Sequence, residues 1–288
     1  MDLGNSIKEK TKYLILWGVA QFCRLPISFN RLWLSDKFYF KLRPKQTLYP
    51  IKIGKYKVIV DLAEFQPRLM YFHHYERDII KCIKEMVKPN QVCLDIGANI
   101  GFLSAVMGKA VGDKGKIYSL EPNHKLFPCL ITLAESSNGV INPFQLAVSD
   151  KNGILEFYLE ANHALSTCVE SLHSATAQKI LVKTISIDDF CSQQQIFPDF
   201  IKIDVEGAEP LVLKGMQKLF ESGHRPIILC ELKPWTYDVF NTSPEDVLNL
   251  VLQYGYKTYV LNSTADLVKI STEGICKSQS DVNVIFLP

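Results

Sequence analysis

Strand-like and helix-like spacings of apolar residues alternate along most of the chain. Residues 1 to about 48 read as helical and aromatic, ending near Pro44. Tyr49 to Leu62 alternates around Gly54 and predicts a β-hairpin. Ile79, Ile80, Ile83, Met86 and Val87 then share one helical face, and Pro89-Asn90 stops that helix. From there the periods interchange. QVCLDIGA predicts a strand, NIGFLSAVMGKAV a helix, GKIYSLEP a strand, HKLFPCLITLAESS a helix, and VINPFQLAVSD a third strand. GILEFYLE and KILVKTISI predict an antiparallel pair within an insertion over residues 153–187. DFIKIDVEG, AEPLVLKGMQKLFES and RPIILCELKP continue as strand, helix, strand. Ser243 caps a helix with Pro244, Glu245 and Asp246 in its first turn, and YKTYVL and DVNVIFLP close as two strands.

Such alternation, with nearly continuous apolar strands, implies an α/β fold: a mostly parallel, Rossmann-like sheet with helices on both faces. Its domain would run over residues 51–288, with hairpin and lead-in helix at 51–90 and core at 91–288. Residues 1–50 would form a separate helical extension. Ligands of these sheets bind beyond the carboxyl ends of the strands. That places attention on 95–101, Glu121, Ser149-Asp150, 204–207 and 231–235.

The charge changes this picture at one end. Residues 1–57 carry a net of +9 and the remainder −7, although the whole chain is only +2. A basic segment ahead of an acidic body suggests either docking onto that body or contact with an anionic surface. Tyr13 to Cys23 is apolar, flanked by Lys8, Lys10, Lys12 and Arg24, and too short to span a bilayer. A helix packed on the main domain or one lying at a membrane interface would both fit. No A-x-A-like cleavage pattern follows it. The eight cysteines are scattered without CxxC pairing, so reduced thiols and a cytoplasmic setting are expected.

The chemistry concentrates at the strand ends. The first turn reads Asp95-x-Gly97-x-Asn99-x-Gly101, unlike the G-x-G-x-x-G of dinucleotide sites. Gly97 permits close backbone approach, and Asn99 tolerates left-handed geometry and could cap a helix starting at Ile100. A carboxylate at Asp95 disfavours a pyrophosphate and suits a ligand bearing an ammonium. S-adenosylmethionine has an ammonium, a sulfonium and a ribose diol, and no phosphate. Glu121, ending the second strand, suits ribose hydroxyls. Lys202 lies in an apolar strand and needs a carboxylate partner, with Asp204 the local candidate and Glu206 or Glu231 the others. Asp204 or Glu206 could orient or deprotonate an acceptor. Asp204 and Glu231 could instead hold a divalent cation, although no metal is required. His73 and His74 could face the acceptor, His163 and His173 lie in the polar insertion, His124 belongs to a helix start, and Trp235 and Tyr237 could form a sugar-stacking wall.

Taken together, LDIGANIGFLS, SLEPNHKLF, LAVSDKNG and IKIDVEGAEPLVLKG followed by IILCEL resemble the FkbM-type family of S-adenosylmethionine-dependent methyltransferases. The resemblance covers about residues 75–235. It implies a seven-stranded methyltransferase sheet with an antiparallel final hairpin. It implies that Asp95, Gly97, Asn99 and Gly101 line the methionine and ribose side of the cofactor, that Glu121 binds ribose, and that Ser149 and Asp150 lie by the adenine. Glu76 matches the family's YE pair and would reach the same pocket. The implied reaction is O-methylation of a hydroxyl on a sugar, glycan or secondary metabolite; the strand-end reading above supplies Asp204, Glu206, Lys202 and Glu231 as its catalytic candidates. Methyl transfer to nucleic acid or protein, and a non-catalytic cofactor-binding module, remain alternatives. No base-flipping motif or aromatic-basic stripe favours nucleic acid.

Overall fold

The computed structural model describes residues 3–25, 31–160, 166–169, 172–262 and 264–288. Two helices, α1 (Leu3–Cys23) and α2 (Arg31–Leu42), precede a hairpin of β1 (Leu48–Ile53) and β2 (Tyr56–Asp61). Helices α3 (Phe65–Tyr71) and α4 (Arg77–Met86) lead into the core. Its strands are β3 (Val92–Ile96), β4 (Lys116–Leu120) and β5 (Ile141–Phe144), followed after the insertion by β9 (Phe200–Ile203), β10 (Ile227–Leu232), β11 (Lys257–Leu261), β12 (Leu267–Lys269) and β13 (Val282–Leu287). The insertion contributes β6 (Ala147–Val148), β7 (Gly153–Leu159) and β8 (Gln178–Ile185).

The main sheet has the order β12-β11-β13-β10-β9-β3-β4-β5. From β5 to β10 the pairing is parallel. β13 then enters antiparallel between β10 and β11. These are the seven expected strands, and the short β12 adds an eighth at the edge. β9 is buried along its whole length, because helices cover both faces. One apolar cluster joins the sheet to the hairpin, α1, α4 and α5 (Phe102–Val111); a second covers the opposite face.

Three local expectations are corrected. VINPFQLAVSD is not one strand: its first half is edge strand β5, and its second half, β6, pairs with β8 in a separate three-stranded sheet. Pro143 lacks the N–H a further neighbour would need, so the main sheet ends there. AEPLVLKGMQKLFES forms two helices, Glu209–Lys214 and Gln217–Glu221, either side of Gly215. A Cβ there would lie 2.3 Å from the Ser149 carbonyl oxygen. The helix after the first turn starts at Phe102 with Gly101 at its N-cap, while the Asn99 side chain accepts only from the Ile100 N–H, at 2.7 Å.

The N-terminal helices pack on the domain. Leu16, Ala20 and Cys23 are buried in the first cluster, and Tyr13 stacks on Tyr49 at 5.0 Å. The polar contact has the reverse sense to a basic segment on an acidic body: Asp36 of α2 accepts from the buried Arg68 at 3.1 Å. Lys55 with Asp113, at 2.5 Å, is an exposed pair of the expected sense. Among the described residues no helix is long and apolar enough to cross a membrane.

Candidate active site

The turn after β3 is hung from the end of β4. The Gly97 and Ala98 N–H groups both donate to the Leu120 carbonyl, at 3.0 Å each. Gly97 has φ +73, and a Cβ on it would stand 1.8 Å from the Asp204 carbonyl oxygen. Gly97→Ala should therefore cost about 1–3 kcal/mol from backbone strain alone, with more from displacing the Asp204 carbonyl. Urea unfolding reads this as a lower midpoint, and an unchanged midpoint would contradict the assignment. Gly101 serves a different purpose. Its absent Cβ lets α5 pack on Leu133 and Leu130 of α6 (Phe127–Glu135).

Glu121 continues from the end of β4 and is 6% exposed. Its two oxygens accept from the Asn99 N–H at 2.8 Å and the Asn123 N–H at 2.9 Å. Burial pushes its carboxyl up to about 7, against those two hydrogen bonds.

Lys202, 5% exposed, is the centre of the buried charge. Its ammonium donates to the Gly97 carbonyl at 2.8 Å and lies 3.2 Å from Asp204 and 3.4 Å from Asp95. Parallel pairing sets Asp95 directly opposite Lys202, and Asp95 also accepts from Ser104. Burial alone would discharge Lys202, but Asp204, Asp95 and Glu76 reverse this and hold it above its ordinary range.

Beside it, carboxylate oxygens of Asp204, Glu206 and Glu231 lie within 4.8 Å of one another. Burial works to raise Asp204, yet Lys202 and a hydrogen bond with Glu231 keep it below the usual carboxylate range. Glu231 goes the other way, to about 9, from burial and the adjacent Asp204 charge. The two carboxyls therefore share one proton at neutral pH. Glu206 is raised to about 7 by burial and by Asp204, and Lys233 opposes from 3.2 Å. Lys233 also meets Asp281 at 2.5 Å, and Asp281 accepts from the Trp235 indole at 3.2 Å. Glu76 is likewise raised to about 7 by burial and then by Asp204.

Glu76, Asn99 and Glu206 all line the cavity with positive φ, at 35°, 54° and 54°. Non-glycine residues held there are strained, which is worth maintaining where a side chain must be aimed. Glu206 is held by both neighbours: the Thr167 hydroxyl donates to its carbonyl at 2.6 Å, and buried Glu209 accepts from the Gly207 N–H at 2.9 Å.

These groups surround one cavity of about 1180 Å³, its open mouth included. Glu76, Gly97, Asn99, Glu121, Lys202, Asp204, Glu206 and Glu231 line it, as expected from the sequence. Asp95, Gly101, Ser149 and Asp150 do not. Asp95 is fully buried behind the turn and acts through Lys202. The Ser149 backbone is tied to Ile185, and Asp150 is exposed. Leu146, Ala147 and Val148 form that wall instead. His73, His74, His124 and His173 are also outside the lining, Tyr237 is a core residue hydrogen-bonded to Glu209, and His163 lies outside the described residues. Sequence reading missed Tyr75, Asp281 and Phe157 from the insertion, and gave no role to Lys233 within the 231–235 segment.

The Methyltransferase FkbM domain matches residues 95–258, more than half of the chain. A curated relative, the hexuronic acid methyltransferase AglP of Haloferax volcanii, is 27% identical over 196 residues, spanning 67% of this chain and 75% of its own. A crystal structure of an FkbM methyltransferase from Methylobacillus flagellatus KT aligns with TM-score 0.43 and 17% identity over 77% of this chain. The chain spans only 54% of that protein's length. Fibrillarin from Aeropyrum pernix, solved with natively bound S-adenosyl-L-methionine, aligns with TM-score 0.39 and 13% identity over 70% of this chain and 68% of its own.

Proposed function

The chain belongs to the FkbM methyltransferase family, and on that premise we propose that it methylates a hydroxyl oxygen of a sugar with S-adenosylmethionine as donor. The carrying observation is that the family's glycine turn, Glu121 and the paired carboxyl and ammonium groups face one cavity. The curated relative named for a hexuronic acid supports a sugar acceptor.

The residues fit the donor. Each Glu121 oxygen already accepts one N–H and keeps a lone pair for a ribose hydroxyl. Leu146 and Val148 offer an apolar wall to the base, and Asp204 offers negative charge to an ammonium. When bound, S-adenosylmethionine supplies an electrophilic methyl carbon whose bond to sulfur breaks with the electron pair staying on sulfur.

Glu206 takes the acceptor proton, since a base titrating near 7 is best matched to neutral pH. The Glu231 proton lies in the hydrogen bond to Asp204, so the pair presents its remaining carboxyl oxygens as acceptors that fix the direction of the sugar hydroxyl. Lys202 holds Asp204 charged and ties it to the turn. The rate should rise as pH passes about 7, where Glu206 loses its proton, and fall above about 9, where Glu231 loses its own. A pH profile of kcat/KM checks this, and a flat profile from pH 6 to 10 would contradict it.

Lys202 and Lys233 already supply the cationic charge that a divalent ion would bring to the three carboxyls. Activity should thus survive exhaustive chelation; a loss restored by Mg²⁺ would reassign Asp204, Glu206 and Glu231 as ligands. Transfer of labelled methyl to a panel of sugars, with mass analysis of the product, tests the reaction itself.

The setting is a separate matter. Leu14, Trp17 and Leu25 are exposed on and just beyond α1, with Lys8 and Lys10 nearby, and Trp33 and Phe40 are exposed on α2. An apolar face edged with lysine suits peripheral contact with an anionic membrane. Failure to co-sediment with anionic vesicles would remove this reading.

A further inference from the structure

A second concavity lies on the other side of Tyr75. Met70, Tyr75 and Phe102 line both it and the donor cavity, so the two adjoin. Six basic side chains edge it: Arg24, Lys52, Arg77, Lys81, Lys84 and Lys109. No carboxylate is among its lining residues. Lys81 has acidic partners, Asp266 at 3.6 Å and Glu85 at 3.9 Å. Among the described residues the other five have no ion pair. They come from separate parts of the fold: the end of α1, the hairpin, α4 and α5. Ile53, Ile80 and Val106 add apolar surface to its lining.

Five unpaired like charges around one hollow repel each other, and the fold gains nothing from gathering them. His73, which lines the groove, reports the resulting field. Its Nε2 accepts from the Arg24 guanidinium at 2.8 Å, so that nitrogen carries no proton. Its pKa is pushed down to about 4, first by burial and then by the Arg24, His74 and Arg77 charges. Its backbone sits at φ 62, a strained position.

We propose that this groove binds the phosphate or diphosphate of a phosphorylated sugar acceptor, whose sugar passes Tyr75 into the donor cavity. This rests on the sugar methyltransferase reading above. Arginine forks match phosphate oxygens bidentately, and the lysines add point charges. The shared chemistry is a phosphate ester. It could be carried by a nucleotide-linked sugar or by a lipid-linked one. The basic balance of residues 1–57 thereby acquires a role, since Arg24 and Lys52 reach the groove from that segment.

The test has two parts. Inorganic pyrophosphate is titrated into the full chain while the His73 ring is followed by NMR. Saturable binding at one site should raise the pH at which His73 titrates, and should weaken with added salt. Lys84→Ala with Lys109→Ala should weaken that binding at least about tenfold. Absence of saturable binding, or unaltered binding by the double variant, would overturn the proposal. Methyl transfer is then compared for a free sugar, the same sugar on uridine diphosphate, and the same sugar on polyprenyl diphosphate in vesicles. A lower KM in either phosphorylated arm, lost in the double variant, supports the proposal and identifies the carrier. Equal KM in all three arms overturns it. Calorimetry with S-adenosylmethionine's demethylated product, S-adenosylhomocysteine, is run in parallel. Its failure to bind would sink the methyltransferase reading independently of the pyrophosphate result.

Discussion

Glu206→Gln should lower kcat by about 10²–10⁴-fold, the usual contribution of a general base, with cofactor affinity nearly unchanged. The glutamine keeps size and hydrogen bonding and removes only the ability to accept a full proton. Glu206 is singled out over Asp204 by their surroundings. Lys202 and Glu231 hold Asp204 below the carboxylate range, which makes it a weak base. Glu206 titrates near 7. Its carbonyl and the following N–H are pinned by Thr167 and Glu209, so its side chain is aimed by a backbone that would not otherwise adopt φ 54. The rise of the pH profile near 7 should vanish with the same substitution. A variant with wild-type kcat would move the base elsewhere in the cluster.

Lys202→Met should destabilise the fold by about 3–5 kcal/mol, because removing one partner of a buried ion pair leaves the other charge uncompensated. Two charges are stranded here. Asp95 is fully buried, and Asp204 loses the ammonium 3.2 Å away. The Gly97 carbonyl loses its donor as well. The deficit in urea unfolding should narrow as pH falls, since protonation removes the stranded charge. Adding Asp95→Asn to Lys202→Met should recover part of it. Wild-type stability in the single variant would mean that the charge cluster is solvated and not structural.

The sequence reading succeeds where the chemistry is local. The glycine turn, Glu121 and the 204–206 carboxylates are each legible from a few neighbouring residues at a strand end, because parallel sheets place all such ends on one edge. It fails where long-range pairing decides. Asp95 looks like a cavity residue, but its opposition to Lys202 depends on the β3–β9 register. Ser149 and Asp150 look like adenine-side residues if one strand runs through Pro143. The strand divides there, and the cavity wall falls to Leu146–Val148. Lys233 and Asp281 are 48 residues apart and meet because β13 lies antiparallel beside β10. No window of sequence contains that pair. The capping box at Ser243, by contrast, is local and forms as expected.

The central claim is that the cavity between the glycine turn and the carboxyl cluster is the methyl-donor site. Titrating calorimetry of wild type and Glu121→Ala with S-adenosylmethionine, and with NAD as comparison, addresses it directly. The account predicts one-to-one binding of S-adenosylmethionine to wild type, no comparable binding of NAD, and at least about tenfold weaker binding, or about 1.4 kcal/mol, in Glu121→Ala. Preference for NAD, or S-adenosylmethionine binding untouched by Glu121→Ala, would contradict it.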